Sequence, residues 1–419
     1  MTSIELYAAR LAALLAPLAE RGGMETLELS TAALAADPGA YDRRVLSRSV
    51  TAGIDLPRFD NSQMDGYAVL AADLAAASAE EPVSLRAADP IPAGAVGSKH
   101  RAGTATPIMT GSPVPDGADA IVPIERADPP RFGAEDVAFT APVPGGTFVR
   151  ARGSDQAAGE LLLPAGTVLR PAHYGLLASV GLAEVQVLPR LRVLVVPTGN
   201  EIRPAGTELA DAQIYDANGL LIAEALREVG AVATVAPCTS DEASDLLAIL
   251  RANAAEADLV ITIGGVSAGA YEVVRDALEP LGSLFGHVEM QPGGPQGNGL
   301  VTLDGGESHV PIVSLPGNPV SALVSFEVFL RPLLRSLAGR TPAERPRIRA
   351  RLAGPLESPA HLHQIRRGLL DDEGLVRPVG GPSSHLLSSY ARSNVLIHVP
   401  VGVSRLGSGD HVDIWRIDD

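Results

Sequence analysis

The chain has 419 residues, too many for one compact core, so about two to four domains are expected. Hydrophobic residues make up 46% and aromatics only 4%, while 43 Gly and 34 Pro call for many tight turns, a composition that excludes a fibrous or disordered chain. A formal net charge of -16 without a basic stripe interleaved with aromatics argues against nucleic acid as a partner, and no apolar run approaches membrane-spanning length.

From the N-terminus, Ser3 to Leu18 carries apolar residues at helical spacing, and a second short helix is expected around Ala32 to Leu34. Met1 to Arg10 lacks a basic segment followed by an apolar one, so a soluble cytoplasmic protein is expected. Glu20 to Leu29 reads as flexible. From Pro57 to about Arg150 short alternating strands are broken by Pro-Ala-Gly, Pro-Asp-Gly and Pro-Gly-Gly, the pattern of a small β-rich module. Gly159 to Leu169 reads as a hairpin and His173 to Val180 as a helix.

Between Leu191 and Pro319, three β-branched apolar runs end abruptly in glycine loops. They are Arg192 to Val196 before Thr198-Gly199-Asn200-Glu201, Leu259 to Ile263 before Gly264-Gly265-Val266-Ser267, and Val310 to Ser314 before Pro316-Gly317-Asn318-Pro319. Such runs suit strands buried on both faces, and predicted helices alternate with them at Asp216 to Val229, Asp241 to Ala255, Tyr271 to Leu281 and Pro319 to Leu337. The alternation predicts a doubly wound parallel sheet with its ligand edge at the carboxyl ends of the strands. Cys238, the single cysteine, cannot build a disulfide or a thiolate metal site within one chain and reads as a small core or strand-end residue. After a flexible link near Pro342 to Pro346 the helices stop, and Pro346 to Ile417 reads as a final β domain or barrel. The expected organisation is therefore α/β and multidomain: a discontinuous N-terminal helix and hairpin domain (1–57 and 151–188), an inserted β-rich module (58–150), a central α/β domain (189–340) and a C-terminal β domain (341–419).

The glycine loops let backbone N–H groups approach an anion, with Ser267 adding a hydroxyl, and Asn318 and Pro319 suit a helix entry. Glu201 and Asp216 fall on the same edge, where carboxylates repel a phosphate unless a divalent cation lies between them, so Mg²⁺ and a phosphorylated ligand are expected. Asp241 reads at least as well as a helix cap. In FDNSQMDGYAV, Phe59 to Val69, Asp65 sits in a polar loop that is either a ligand loop or a turn network with Tyr67 as anchor. Arg366 and Arg367, with Ser384, His385, Ser388 and Ser389, form a second set of anion-friendly donors, whose bland alternative is a solvated arginine pair.

In order along the chain, DNSQMDGYAV, TGNE, YDANG, GGVSAG, LPGNPVSALVSFEVFLRPLL and GPSSHLLSSYARSN closely resemble the molybdopterin molybdenumtransferases, the MoeA and gephyrin E-domain family. The central domain by itself is also similar to the MogA-type adenylyltransferases. The resemblance implies insertion of molybdate into adenylylated molybdopterin, with Mg²⁺-dependent release of AMP and molybdenum cofactor. It implies a homodimer whose site lies between the β module of one chain and the sheet domain of the other, with a molybdopterin adenylyltransferase and recipient molybdoenzymes as candidate partners. Carried over by motif, Asp65, Thr110, Glu125 and Asp155 would come from the β-module side. Thr198, Gly199, Glu201, Asp216, Asn218, Asp241, Gly264, Gly265, Ser267, Pro316, Gly317 and Asn318 come from the sheet domain, and Arg367 and Ser384 from the last domain. Asp65, Glu201, Asp216 and Asp241 would be catalytic, and Glu201 and Asp216 would hold Mg²⁺.

Three departures bear on this reading. Asn200 stands where many relatives have Asp, Ala270 where many have an acidic residue, and Gln291 and Gly294 where many have lysines that would suit molybdate. Gln291, Gln296 and backbone N–H groups are the expected neutral substitutes. The rivals are a non-catalytic scaffold or molybdopterin-binding paralogue, and an adenylyltransferase or pyrophosphatase of related fold.

Overall fold

A computed structural model describes every residue except 92–93, 95–98, 268–271, 304–308 and 419. The chain forms two compact units, one of Met1–Thr26, Pro38–Val45 and Gln186–Asp419, the other of Leu27–Asp37 and Leu46–Val185.

In the first unit the β-branched runs form strands β1 (Arg192–Pro197), β2 (Val232–Val235), β3 (Leu259–Ile263), β4 (Leu284–His287), β5 (Pro295–Thr302) and β6 (His309–Leu315), in the order β2-β1-β3-β6-β5-β4. The first four are parallel, while β5 and β4 extend the sheet antiparallel. Chain length explains the switch, because the links from β4 to β5 and from β5 to β6 are too short for a crossover helix. Along β1, Val193 and Val195 pack into one core with Ile4–Leu15 and Asn218–Val229, and Leu194 and Val196 into another with Ala243–Asn253 and Val273–Leu278. Alternate side chains of one strand thus bury against helices on both faces, which is the doubly wound arrangement.

The N-terminal helix is capped by Ser3, whose Oγ accepts from the Leu6 N–H at 3.2 Å. Glu20 to Leu29 is not simply flexible, since Glu25–Glu28 forms a strand. The expected helix from Pro319 to Leu337 is interrupted by a π-helical turn, Phe326–Leu330. Pro332 has no N–H to donate to the carbonyl four residues back, and the wider turn accommodates that. The link after it is pinned rather than loose, with Arg345 6% exposed and paired with Glu327.

Beyond the link, Arg347–Leu352, His363–Leu370, Leu375–Pro378, Val395–Val399 and His411–Arg416 close into a barrel, because His363–Leu370 pairs with both Leu375–Pro378 and Val395–Val399. One helix, Leu387–Ala391, interrupts what the sequence suggested was helix-free. Ala350, Val376, Ile397 and Ile414 fill the barrel, while Ile365 and Leu396 face outward into the sheet-domain core.

On that outward face His363 Nε2 lies 3.1 Å from His398 Nδ1, and the His398 ring is 4.1 Å from that of Trp415, the chain's only tryptophan. Burial pushes the His398 imidazole down to about 3 and lowers His363, with the Arg347 charge adding to both and Glu5 opposing at His363. An unfolded chain, with histidines near 6.5, binds protons that the folded one refuses. This contribution to stability is full above about pH 6.5 and is lost as pH falls toward 3, a difference on the order of a few kcal/mol. Acid titration followed by Trp415 fluorescence is expected to show unfolding within that window. His398→Phe should move the midpoint to lower pH, and an unmoved midpoint would contradict the assignment.

The second unit holds a six-stranded sheet in the order Ala120–Pro123, Gly66–Val69, Thr104–Ile108, Val83–Ala87, Asp136–Phe139 and Ala127–Asp128. Tyr67 anchors it, fully buried, with its hydroxyl donating to the Arg131 carbonyl at 2.7 Å and its ring against Phe132 and Phe139. Gly66 is required by close approach, since a Cβ there would lie 2.1 Å from the Val122 carbonyl oxygen. Gly66→Ala is expected to cost at least about 2 kcal/mol in a denaturant titration, because only backbone movement relieves the clash. The hairpin expected at Gly159 to Leu169 does not form; Leu161–Leu163 pairs instead with Val50–Thr51. Among the described residues no helix is long and apolar enough to cross a membrane.

Candidate functional site

The three glycine loops emerge at the carboxyl ends of β1, β3 and β6, which are mutually parallel neighbours. Thr198 donates both its N–H (2.9 Å) and its hydroxyl (3.1 Å) to the Ile263 carbonyl, tying the first loop to the second. A Cβ on Gly264, at φ +100°, would meet Thr198 Oγ1 at 2.9 Å, and one on Gly317 would lie 3.3 Å from Gly264 Cα. Glycine is therefore needed where the three loops cross. The result is a floor of closely spaced backbone of the kind that accommodates an anion.

Glu201 lies over the first loop, its carboxylate 2.4 Å from where a Cβ on Gly199 would stand. Asp216 Oδ1 accepts from the Gly219 N–H at 3.0 Å, so it braces the start of Asn218–Val229 and leaves Oδ2 uncommitted among the described residues. Asn218 donates to the Gly317 carbonyl at 2.8 Å, and its buried Oδ1 has no partner among the described residues. Asn318 occupies the N-cap position before Pro319, but its side chain does not cap; it donates to Ser384 Oγ at 2.9 Å. Loop and barrel are thereby joined.

Asp241 does not start or cap a helix. The helix begins at Ala243, and Asp241 Oδ2 accepts from Asn200 Nδ2. The amide that distinguishes Asn200 from an aspartate thus replaces a like-charge contact with a hydrogen bond. Ser267 donates its N–H to Glu272 Oε2 at 3.0 Å, while the rest of that loop, with Ala270 and the expected helix start at Tyr271, lies outside the described residues.

The neutral donors expected at the lysine positions divide. Gln296 is 1% exposed and its amide N–H groups go to the Gly293 carbonyl (2.7 Å) and Ser325 Oγ (2.6 Å), so its donors are already committed within the fold. Gln291 stays half-buried, with its Oε1 accepting from Gln364 at 2.6 Å. At Gly294 a Cβ would stand 2.4 Å from the His287 imidazole, so a lysine there would displace that ring. Gln364 was not detectable from sequence because it reaches Gln291 through a pairing between strands 73 positions apart, and His287 was missed although it lies only seven residues before Gly294, because its ring position depends on the antiparallel pairing of β4 and β5.

Arg367 is fully buried rather than solvated, and donates to the carbonyls of Gly381 and, at 3.2 Å, Ser383, next to Ser384. Its Nε and Nη1 have no partner among the described residues, and burial lowers its pKa.

In the second unit Asp65 accepts from the Thr110 N–H (2.7 Å) and hydroxyl (2.8 Å), and these bonds hold its carboxyl below the usual range. The Asp65 carbonyl accepts from the Ile124 N–H at 3.0 Å, which sets Glu125 alongside. Asp155 is exposed on the turn after Arg150, and its N–H donates to the Leu56 carbonyl at 2.9 Å. The loop is also the turn network considered from sequence, with Ser62 Oγ donating to the Met64 carbonyl at 2.6 Å and Asp60 accepting from the Arg152 N–H at 2.7 Å.

Among the described residues no group of three or more His, Cys, Asp or Glu side chains converges. Mg²⁺ takes one or two protein carboxylates and completes its shell with phosphate oxygens and water, and Glu201 and Asp216 are donors of that type. A cavity of about 240 Å³ lined by Arg192, Val232, Thr234, Asn253 and Glu256 lies at the amino ends of β1 and β2, away from the loops.

A doubly wound domain with three glycine loops crossing at the carboxyl edge of its sheet, followed by a small barrel, defines a multidomain α/β protein. Family models match three segments: MoeA N-terminal region (domain I and II) at 8–181, a probable molybdopterin binding domain at 201–336, and MoeA C-terminal region (domain IV) at 349–417. Molybdopterin molybdenumtransferase 2 of Mycobacterium tuberculosis is 45% identical over 89% of this chain and 92% of its own length. The Bacillus subtilis molybdopterin molybdenumtransferase is 33% identical over 89% and 87%. The crystal structure of a molybdopterin biosynthesis MoeA protein from Pyrococcus horikoshii superposes with a TM-score of 0.76 at 28% identity, covering 99% of both chains. The chain belongs to the MoeA family, the molybdopterin molybdenumtransferases, and so to the transferases of molybdenum cofactor biosynthesis.

Proposed function

We propose that this chain inserts molybdate into adenylylated molybdopterin and releases AMP and molybdenum cofactor. The observation that carries the reading is the crossing of the three glycine loops beside Glu201 and Asp216. Backbone N–H groups of the second and third loops bind the pterin phosphate, and Asn218 holds Gly317 in place for it. Glu201 and Asp216 would hold Mg²⁺, which when bound neutralises phosphate charge beside the carboxylates. Asp65, kept ionised by Thr110, offers the ligand a hydrogen-bond acceptor. With no lysines at 291 and 294, the neutral amide of Gln291 is the donor left for molybdate. The two dithiolene thiols of the substrate replace one oxygen of molybdate, which leaves with their two protons as water, so no protein thiol is needed and the lone Cys238, buried beside the first loop, is no obstacle.

The reading includes a homodimer in which Asp65, Thr110, Glu125 and Asp155 of one protomer meet the sheet-domain loops of its partner. The test is mass spectrometry of small molecules released by purified protein given adenylylated molybdopterin, Mg²⁺ and molybdate, beside a control without molybdate. Molybdate-dependent AMP and molybdenum cofactor are expected. Bound but unconverted substrate would instead identify a binding paralogue.

A further inference from the structure

Arg366 and Arg367 follow one another on a barrel strand, so their side chains leave it on opposite faces. Arg366 pairs across the sheet with Ile397, a barrel-interior residue, and Arg367 with Leu396, on the face toward the sheet domain. Both nonetheless reach the same loop. Arg366 Nη2 donates to the Gly380 carbonyl at 3.0 Å, and Arg367 Nη2 to the Gly381 and Ser383 carbonyls. Arg366 is 8% exposed, has no acidic partner among the described residues, and its Nε is unpartnered there. A buried guanidinium without a carboxylate is costly, and burial lowers its pKa. The visible return on that cost is the fixed loop. From the other side, Gly380 (φ +67°) sits so close to the Leu387–Ala391 helix that a Cβ would lie 2.5 Å from Ser389 Oγ. The loop then delivers Ser384 to Asn318 at 2.9 Å.

We propose that Arg366 is a positioning residue of the substrate site: by holding Gly380 it fixes the loop that presents Ser384 beside Asn318. This rests on the reading of Ser384 as a substrate contact. Arg367 was the residue singled out by motif, whereas Arg366 acts from inside the barrel and touches no ligand.

The test is hydrogen exchange of residues 379–386 in Arg366→Met, Arg366→Lys and Gly380→Ala, paired with kinetics for molybdate and adenylylated molybdopterin. In Arg366→Met, loop amides are expected to exchange about tenfold faster while Val395–Val399 keeps its protection, and KM is expected to rise about tenfold with kcat within about twofold. Lysine, which still carries a donor, should recover most of the KM. Gly380→Ala, which disturbs the loop at the residue whose carbonyl Arg366 holds and leaves the Arg366 side chain itself in place, should reproduce the methionine phenotype, and it decides the matter if Arg366→Met loses the barrel. Exchange needs no substrate, so an unchanged loop overturns the role of Arg366 whatever the reaction proves to be. A faster loop with unaltered KM would reduce Arg366 to a structural brace and overturn the proposal through the reading of Ser384.

Discussion

Glu201→Ala is expected to lower molybdate-dependent AMP release by about a thousandfold or more, with an unaltered denaturation midpoint. Its carboxylate makes no hydrogen bond or ion pair among the described residues, so removing it leaves nothing unsatisfied in the fold. Under the proposed function that carboxylate, poised over a glycine loop, acts on the ligand. Loss of a group that manages phosphate charge removes several kcal/mol of transition-state stabilisation, about a thousandfold in rate. Asp65→Ala should be comparably inactive, although Asp65 contributes its bonds to Thr110 and a small loss of stability can accompany it. Together the two variants test the shared dimer site. If each site combines Asp65 of one protomer with Glu201 of its partner, a mixed dimer of the two inactive proteins contains one intact site. Equal mixing after dissociation would then restore about a quarter of wild-type activity, since about half of random dimers are mixed and each has one working site of two. Full inactivity of the mixture would place Asp65 and Glu201 in the same chain's site or dismiss one of them.

The parts of this protein that could be read from its sequence are those whose signal is local. The runs Arg192 to Val196 and Leu259 to Ile263 are apolar at every position because parallel strands bury both faces, and each ends where glycine must begin. Family motifs add the candidate site residues because each lies inside a short continuous segment. Long-range pairing was not legible. Nothing near Leu161 announces that its partner is Thr51, and nothing near Gln291 announces Gln364. The direction of β5 depends on link length more than on its own residues. Side chains with two possible uses were misassigned for a related reason: Asn318 and Asp241 have the composition of caps, yet Ser384 and Asn200, 66 and 41 positions away, claim them. Gln296 looked like a spare donor because its polarity is visible in sequence and its burial is not.

Glu327→Ala is expected to be the most destabilising single substitution proposed for this chain, at about 3–5 kcal/mol. Glu327 lies on the π-helical turn, with its side chain 6% exposed, and its carboxylate takes two bonds from Arg345, from Nε at 2.6 Å and Nη2 at 3.2 Å. Arg331 Nε stands 3.7 Å from the same carboxylate. Arg345 in turn donates Nη1 to the Arg416 carbonyl at 2.6 Å, so the pair joins the long helix to the last strand of the barrel. Deleting the carboxylate takes the Glu327 charge and two hydrogen bonds away from a guanidinium only 3% exposed, and the cost comes from that lost compensation in a buried site. Substituting both residues with methionine should therefore be less harmful than Glu327→Ala alone. Urea titration of the single and double variants measures this. A double variant as unstable as the sum of the singles would mean that the two side chains contribute independently and that the ion pair is not what docks the barrel.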